Sequence, residues 1–202
     1  MSFPEAWEET ALVAITKLSG SDIEFAAITE TIDISEPDYS GESINNLAGG
    51  RIWKQTPQED GEITLEMYPI ELDTTSGVGL YQQFNGGTAD TAEPLANDTA
   101  WPASVDRTRD KFRVTVLWTN DVLATTANGA TTGSTDGIRF SAMLCRLVSL
   151  KTSFTDGIVK STATFKFPAM NKAGTVKCFR WDSGDQTAIA ALSTYDDEDS
   201  WA

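Results

Sequence analysis

Polar and apolar residues alternate along several stretches of this chain. Segment 62–67 (EITLEM) alternates without interruption, and segment 111–120 (KFRVTVLWTN) repeats the pattern. A period of two predicts a β-strand with its apolar side chains on one face and its polar side chains on the other. In segment 157–168 the same rule places Lys160, Thr162, Thr164 and Lys166 on one face. The sequence therefore predicts strands with one face in a core.

Turn residues between the alternating stretches define further elements. Strands are predicted at residues 10–18, 22–34, 51–56, 62–72, 111–120, 138–154, 157–168 and 175–181. The phase of the apolar positions changes near residues 26–27, which predicts a β-bulge there. Residues 35–50 (SEPDYSGESINNLAGG) are rich in glycine, serine, asparagine and acid, and are predicted to form a loop.

One helix is predicted, over residues 76–87 (SGVGLYQQFNGG), because apolar residues recur at helical spacings before an Asn-Gly-Gly stop. Residues 88–110 and 124–137 are predicted to be long loops, the second polar and flexible. One short flanking helix among strands predicts an all-β sandwich or partial barrel. We expect a single domain over residues 1–202. Its core would span about 11–182, between an N-terminal arm (1–10) and an acidic C-terminal arm (183–202).

The net charge of the chain limits the kinds of molecule that it can bind. The chain has 30 acidic and 15 basic residues, for a net charge of −15. Such a surface repels phosphate backbones, which argues against tight nucleic-acid binding. It also destabilises the compact state unless salt screens it, and at ~1 M salt the Debye length is about 3 Å. The composition is typical of a protein that works in concentrated salt, although an ordinary acidic surface would look the same.

Few residues are available for catalysis. The chain has no histidine, which excludes Ser-His-Asp and Cys-His nucleophiles and His-ligated metals. Cys145 and Cys178 lack the spacing of a metal site; we expect a buried thiol at Cys145, and a disulfide between the two remains open. Glu62 and Glu66 are roughly 13 Å apart along their strand, too far for a glycosidase pair at about 5–9.5 Å. No enzyme activity, cofactor or metal is expected.

The terminal regions indicate location and contacts. Residues 1–10 (MSFPEAWEET) lack the basic and apolar regions of a signal peptide, and no apolar run approaches the ~20 residues of a membrane span. We expect a soluble protein made in the cytosol. The acidic run 196–199 lacks the spaced ligands of a calcium loop and is expected to be a solvated tail. Trp7 and Trp201 lie near the ends, where an indole packs either on a partner subunit or on its own chain.

A series of segments follows in a distinctive order. After a strand hairpin come AITETIDIS, a long acidic loop, GGRIWKQTPQEDGEITLEMYPIEL, the short helix GLYQQFNGG, KFRVTVLWTND, GIRFSAMLCRLVSLKTSF and DGIVKSTATFKFP. This layout, over residues 11–168, resembles the major tail (tail tube) proteins of long-tailed viruses of the siphovirus kind. With its salt-adapted composition, the chain is similar to such a protein from a virus that infects halophilic archaea.

The resemblance implies a fold and an assembly. It implies a β-sandwich with a flanking helix, in hexameric rings where one sheet per subunit joins its neighbours into a continuous barrel around a lumen. Stacked rings would form the tail tube through which the viral DNA passes. The implied partners are other copies of the chain, a tape-measure protein, and tail-terminator and baseplate proteins. The implied location is the virion tail, assembled in the host cytoplasm.

The resemblance and the strand pattern together assign roles to residues. The residues expected to line an acidic, DNA-repelling lumen are Thr29, Thr31, Asp33, Glu62, Thr64 and Glu66. Lys160 and Lys166 either share that wall as partners of the glutamates or face outward. The residues expected in a loop that stacks rings are Glu36, Asp38, Tyr39, Glu42, Asn45 and Asn46. Trp7 and Trp201 are expected to anchor arms at the subunit interface.

Two other classes remain as alternatives. A carbohydrate- or cell-surface-binding β-sandwich would use acidic loops and exposed tryptophans as sugar platforms. A hydrolase would use a pair of carboxylates. The absence of histidine and of an export signal counts against both.

Overall fold

The computed structural model of the chain describes residues 11–18, 22–26, 31–45, 49–67, 111–155, 157–196 and 201. Within these ranges every regular element is a β-strand. The strands are β1 (Ala11–Lys17), β2 (Asp22–Ala26), β3 (Ile32–Ser35), β4 (Tyr39–Asn45), β5 (Arg51–Gln58), β6 (Gly61–Met67), β7 (Phe112–Thr119), β8 (Gly137–Thr155), β9 (Ile158–Phe167) and β10 (Phe179–Gly184).

One large sheet contains eight of these strands. Its order is β2-β1-β7-β8-β9-β6-β3, with β10 also paired to β8, and β4 and β5 form a separate hairpin. The 19-residue strand β8 connects two parts of the sheet. We call β2, β1, β7, β10 and the first part of β8 the first half-sheet. The second half-sheet consists of β3, β6, β9 and residues 146–155 of β8.

Two β-bulges let β8 serve both half-sheets. One interrupts its pairing with β7 and the other its pairing with β9. Leu144, in the first bulge, has φ of 56°, a left-handed conformation that is uncommon for leucine. Each bulge inserts one residue into β8. Phe140 and Ala142 before the first bulge, Cys145 and Leu147 between the two, and Leu150 after the second therefore all contact the same core. Because bulges bend a strand and increase its twist, the sheet curls over itself.

The main core lies between the two half-sheets. Its buried members are Val13, Ile15, Ile63, Leu65, Phe112, Val114, Val116, Phe140, Ala142, Cys145, Ala163, Phe165 and Phe167. Phe112 and Phe165 meet edge to face across it, with ring centroids 6.0 Å apart. Phe140 and Phe167 pack at the same separation of 6.0 Å. This arrangement confirms the prediction of an all-β sandwich or partial barrel.

The outer face of the first half-sheet carries a buried arginine, Arg139, of which 1% is exposed. Its Nε and Nη2 donate to Asp182 Oδ2 at 3.1 and 2.9 Å. Nη1 donates to the Gly129 carbonyl (3.1 Å) and Nη2 to the Ala190 carbonyl (2.7 Å). Burial lowers the pKa of Arg139, and the hydrogen bond and charge of Asp182 oppose that shift. One side chain thus ties together β8, β10, the loop after β7 and the segment after β10.

The segment after β10, residues 185–196, packs along this outer face. The buried Tyr195 hydroxyl accepts a hydrogen bond from Leu144 N (3.1 Å), and burial raises the pKa of Tyr195 to about 12. Arg113 donates to the Ser193 carbonyl (2.8 Å) and lies 5.5 Å from the Tyr195 ring centroid. This part of the acidic C-terminal region is therefore integral to the subunit surface.

The loop after β7, predicted to be a flexible insertion, is packed instead. Asp121 accepts hydrogen bonds from Leu123 N (2.9 Å) and Thr132 N (2.6 Å). The bond from Thr132 is the main reason why the pKa of Asp121 lies below its usual value. Asn128 is buried and donates to Thr16 Oγ1 at 3.0 Å. Sequence composition could not reveal this packing because the partners are distant along the chain.

Two predictions of local structure are wrong. Segment 22–34 is two strands, β2 and β3, which lie at opposite edges of the large sheet. Residues 39–45, predicted as part of a loop, form strand β4 paired with β5. Its described side chains, such as Ser43, Ile44 and Asn45, are exposed. Because the described side chains of β4 are all exposed, they show no alternation of buried and exposed positions that the sequence pattern could reveal.

Other predictions are confirmed or fall outside the described residues. The strands predicted at 10–18, 51–56, 111–120, 138–154 and 157–168 are present with shifted ends, whereas the last strand begins four residues later than expected, at Phe179. Cys145 and Cys178 are both buried thiols, and burial raises the pKa of Cys145. The predicted helix at 76–87 and loop at 88–110 lie outside the described residues.

Candidate functional site

The second half-sheet has one face in the core and one polar face. Register places Asp33 opposite Thr64, Thr64 opposite Thr164, and Thr164 opposite Ser149. Residues opposite one another in an antiparallel sheet share a face, and so do residues two positions apart along one strand. The same face therefore includes the rows of residues on either side of this one. We define the polar face as Asp33, Ser35, Glu62, Thr64, Glu66, Arg146, Ser149, Lys151, Ser153, Lys160, Thr162, Thr164 and Lys166.

Ion pairs and hydroxyl groups connect β6 to β9 on this face. Lys160 Nζ lies 3.0 Å from Glu66 Oε1, and Lys166 Nζ lies 3.8 Å from Glu62 Oε2. Between them the hydroxyls of Thr64 and Thr164 are 3.4 Å apart. The side chains of both ion pairs are partly exposed, so each pair contributes about 0–1 kcal/mol to stability.

Charge is divided between the two sides of the polar face. The three carboxylates, Asp33, Glu62 and Glu66, lie on β3 and β6. The four cations lie on β9 and β8: Arg146, Lys151, Lys160 and Lys166. Three negative charges against four positive charges leave a net charge of +1. The described part of this face is therefore less acidic than expected, because the two lysines share it and β8 adds two more cations.

The basic side of the face continues into an open cleft of about 470 Å³ at its end. Lys111, Lys172, Arg146 and Lys166 line this cleft together with one acid, Asp60. The cleft is therefore a positively charged region in a chain whose net charge is −15. The division of charge thus extends beyond the sheet itself.

The structure brings most of the residues predicted for the lumen onto one surface. Asp33, Glu62, Thr64 and Glu66 all lie on the polar face, and the Thr31 carbonyl accepts a hydrogen bond from Glu66 N (3.3 Å). Thr29 lies outside the described residues. That this surface lines a lumen stays a prediction.

Sequence reasoning missed the residues that β8 contributes. Arg146 and Lys151 are five residues apart, an odd spacing that a regular strand would place on opposite faces. They share the polar face because the second bulge lies between them. A bulge leaves no reliable sequence signal in an apolar strand, so the sequence predicted a more acidic surface than the structure has.

Both edges of the second half-sheet are open among the described residues. There β3 pairs with β6 alone, and residues 146–155 of β8 pair with β9 alone. Such an edge presents a row of backbone donors and acceptors to another strand. Phe154, near the end of β8, has 71% of its surface exposed.

Backbone alternation shows which groups point out of these edges. Because Glu66 N donates to the Thr31 carbonyl, the polar-face residues of β6 bond to β3 and its core-facing residues bond to β9. The same alternation continues from β6 through β9 to β8, as the pairing registers show. At both edges, the backbone N–H and C=O groups that point outward therefore belong to residues whose side chains lie on the core side. They belong to Ile32 and Ile34 on β3 and to Leu150, Thr152 and Phe154 on β8.

The residues predicted to stack rings lie on or beside the β4–β5 hairpin. The Trp181 indole donates to Glu36 Oε1 (2.6 Å), and Tyr39 N donates to Asp38 Oδ1 (2.6 Å). Tyr39 is 54% exposed and Ile44 is 45% exposed. Glu42 and Asn45 belong to β4, whereas Asn46 lies outside the described residues. Their stacking role stays a prediction, now placed on a hairpin rather than a loop.

Trp201 packs on its own subunit. Its indole nitrogen donates to the Lys177 carbonyl at 3.3 Å, and the guanidinium of Arg180 lies 5.0 Å from its ring centroid. This contact agrees with the second interpretation of that tryptophan, packing on its own chain. Trp7 lies outside the described residues.

The described residues contain neither a metal-binding cluster nor a membrane-spanning helix. No cluster of three or more histidine, cysteine, aspartate or glutamate side chains there could hold a metal ion. No helix there is long and apolar enough to cross a membrane.

Comparisons with known proteins gave structural matches only. No family model and no curated protein matches the chain. A chain of the sheath–tube complex of the PVC extracellular contractile injection system aligns with a TM-score of 0.43 and 10% identity, over 85% of this chain and 88% of that one. A chain of the anti-feeding prophage baseplate gives 0.47 and 11%, over 90% and 97%. A protein named Hcp gives 0.38 and 7%, over 86% and 98%. These TM-scores lie below 0.5, so the similarities support no conclusion about this chain.

Proposed function

We propose that this chain is the structural subunit of a homo-oligomeric tube. In each ring, the second half-sheets of neighbouring copies join edge to edge into one closed barrel, with the polar face as its inner wall. The observation that carries the proposal is that this half-sheet combines a core face, a polar face and two edges that pair with no further strand in the described part of the chain. Open edges invite pairing with other chains, and closure into a barrel removes them.

The geometry of the edges supports closure by rotation. The second half-sheet has four antiparallel strands, so β3 and β8 at its two edges run in opposite directions. When copies are related by rotation about the barrel axis, β3 of one copy lies antiparallel to β8 of the next. A shift of one residue would turn polar side chains toward the core, so the polar face continues from copy to copy.

We assign the tube, more specifically, to the tail of a long-tailed virus, with stacked hexameric rings that convey the viral DNA. The order of segments over residues 11–168 supports this assignment, and tape-measure, terminator and baseplate proteins would then be its partners. The β4–β5 hairpin stands apart from the large sheet and exposes Tyr39 and Ile44, as suits a contact between rings. A hydroxyl-rich wall with paired charges would neither hold nor repel a polyanion strongly.

Electron microscopy of the purified protein, with sedimentation velocity, tests the tube directly. The expected result is rings or stacked tubes at ~2 M salt. Monomers at every salt concentration would contradict the proposal, and binding of such monomers to a glycan array would favour a carbohydrate-binding β-sandwich.

Thr152→Pro is expected to reduce the ring fraction by about tenfold or more, because proline lacks the N–H that this edge would offer to β3 of the next copy. Thr152 is exposed, and its N–H points away from β9, so the subunit should still fold. Thr152→Ala is the matched control, since it also removes the hydroxyl contact with Ser161 (3.2 Å) but keeps the N–H. Ring counts by microscopy and thermal unfolding of both variants make the comparison. Rings from Thr152→Pro at the wild-type level would rule out joining through β8.

Adaptation to concentrated salt belongs to the same proposal and gives a second expected result. A net charge of −15 should make the melting temperature rise by about 5–10 °C between ~0.1 M and ~2 M KCl, as screening relieves roughly 2–3 kcal/mol of self-repulsion. Calorimetry in KCl, with sucrose of equal osmolality as the control, measures it. A melting temperature that does not depend on KCl would contradict adaptation to salt, and with it a virus of halophilic archaea.

A further inference from the structure

The two edges of the polar face carry opposite charges that form no ion pair with another described residue of the subunit. Lys160 pairs with Glu66, and Lys166 with Glu62, on the inner strands. At the edges, Asp33 on β3 and Lys151 on β8 are both exposed. Among the described residues, neither of these two has an ion-pair partner within the subunit.

The ring junction described above would bring these edges together, and the inference rests on that proposed function. The outward backbone groups at both edges belong to core-side residues, so those residues would form the hydrogen-bonded pairs of the junction. The polar-face residues would then form the closer pairs, with Cα atoms about 4.5 Å apart. At that distance opposite charges attract and like charges repel across the strands.

Charge then distinguishes among the registers that keep the polar face continuous. When Asp33 lies opposite Lys151, both charges gain a partner, and Ile32 and Ile34 meet Thr152 and Leu150. A shift of two residues in either direction places Asp33 opposite Ser149 or Ser153 instead, and leaves Lys151 opposite an uncharged residue.

We infer that Asp33 of one copy forms an ion pair with Lys151 of the next, and that this pair selects the register and direction of the ring junction. Pairing of two β3 edges would bring aspartates together, and pairing of two β8 edges would bring lysines together. Both symmetric dimers are therefore disfavoured, whereas the head-to-tail contact that closes a ring is favoured.

Charge reversal tests the inference. Asp33→Lys and Lys151→Asp are each expected to lower the association constant for ring formation by about fivefold or more at ~0.15 M NaCl. The double variant should recover to within about twofold of the wild type. At ~2 M NaCl the differences should shrink, because screening weakens exposed ion pairs. Sedimentation velocity and electron microscopy give the ring fraction, and thermal unfolding checks that each variant folds.

Mixing the two single variants is the sharpest form of the test. A copy with Asp33→Lys carries lysine at both edges, and a copy with Lys151→Asp carries aspartate at both. Neither should form rings efficiently alone, whereas an equimolar mixture should form rings in which the two alternate. Asp185→Lys makes the same change of charge at an exposed position away from both edges, and should assemble like the wild type.

The outcomes separate the inference from the function on which it rests. Wild-type monomers at every salt concentration would overturn both the ring and the ion pair. Wild-type rings together with equally efficient assembly of each single variant would overturn the ion pair alone, and so would a mixture that assembles no better than its components.

Discussion

Arg139→Met is expected to lower the free energy of unfolding by about 3–5 kcal/mol, because it removes a buried guanidinium and the hydrogen bonds that this group donates to two backbone carbonyls and to Asp182. The substitution leaves the carbonyls of Gly129 and Ala190 without their donor, and leaves the Asp182 carboxylate with Arg180 as its remaining partner. It also detaches the segment after β10 from the outer face of the first half-sheet. Urea unfolding followed by tryptophan fluorescence measures the change.

Arg180→Met is the matched control. Arg180 also faces Asp182, with its Nε 3.3 Å from Oδ2, but its side chain is partly exposed. Its loss should cost about 1 kcal/mol, the range of an exposed ion pair and a cation–π contact. If Arg139→Met and Arg180→Met lowered the free energy of unfolding equally, the buried position of Arg139 would not make it more important for stability than Arg180.

Phe165→Ala is expected to cost about 3–5 kcal/mol, since it removes a fully buried ring and leaves a cavity. Phe165 contacts Phe112 across the main core, so the change weakens the packing of one half-sheet on the other. Urea unfolding of the monomeric protein measures the loss within one subunit.

Phe154→Ala makes the same chemical change at a position that is 71% exposed. Its effect on monomer stability should lie within about 0.5 kcal/mol of zero, as for most surface substitutions. A loss below about 1 kcal/mol for Phe165→Ala would contradict a core shared by the two half-sheets.

The sequence predicted best the strands that are regular and place their alternating apolar residues in the main core. Segments 62–67 and 111–120 each have one face in the core and no bulge, so their alternation gives both the strand and its orientation. The polar residues of β6 were therefore placed correctly on one face. The same rule failed for β4, where the described side chains are all exposed, and for β8, where two bulges break the period.

The other features that the sequence did not predict depend on contacts between residues that are far apart along the chain. The position of β3 at a sheet edge depends on its pairing with β6 about thirty residues later. Arg113 alternates with core residues in β7, a pattern typical of a solvent-facing position, yet it is buried under residues 193–195. The charge balance of the polar face likewise depends on which strand lies beside β9.

The cover over the outer face has a consequence for synthesis. A ribosome makes the chain from its N-terminal end, so Arg113 and Arg139 emerge well before Asp182, Ala190 and Ser193, which bind them. Until those residues appear, both guanidinium groups remain hydrated and the outer face is incomplete. A translation product that stops before residue 182 lacks the groups that complete this face. Packing of the outer face is therefore completed late in synthesis, only after Ser193 has left the ribosome.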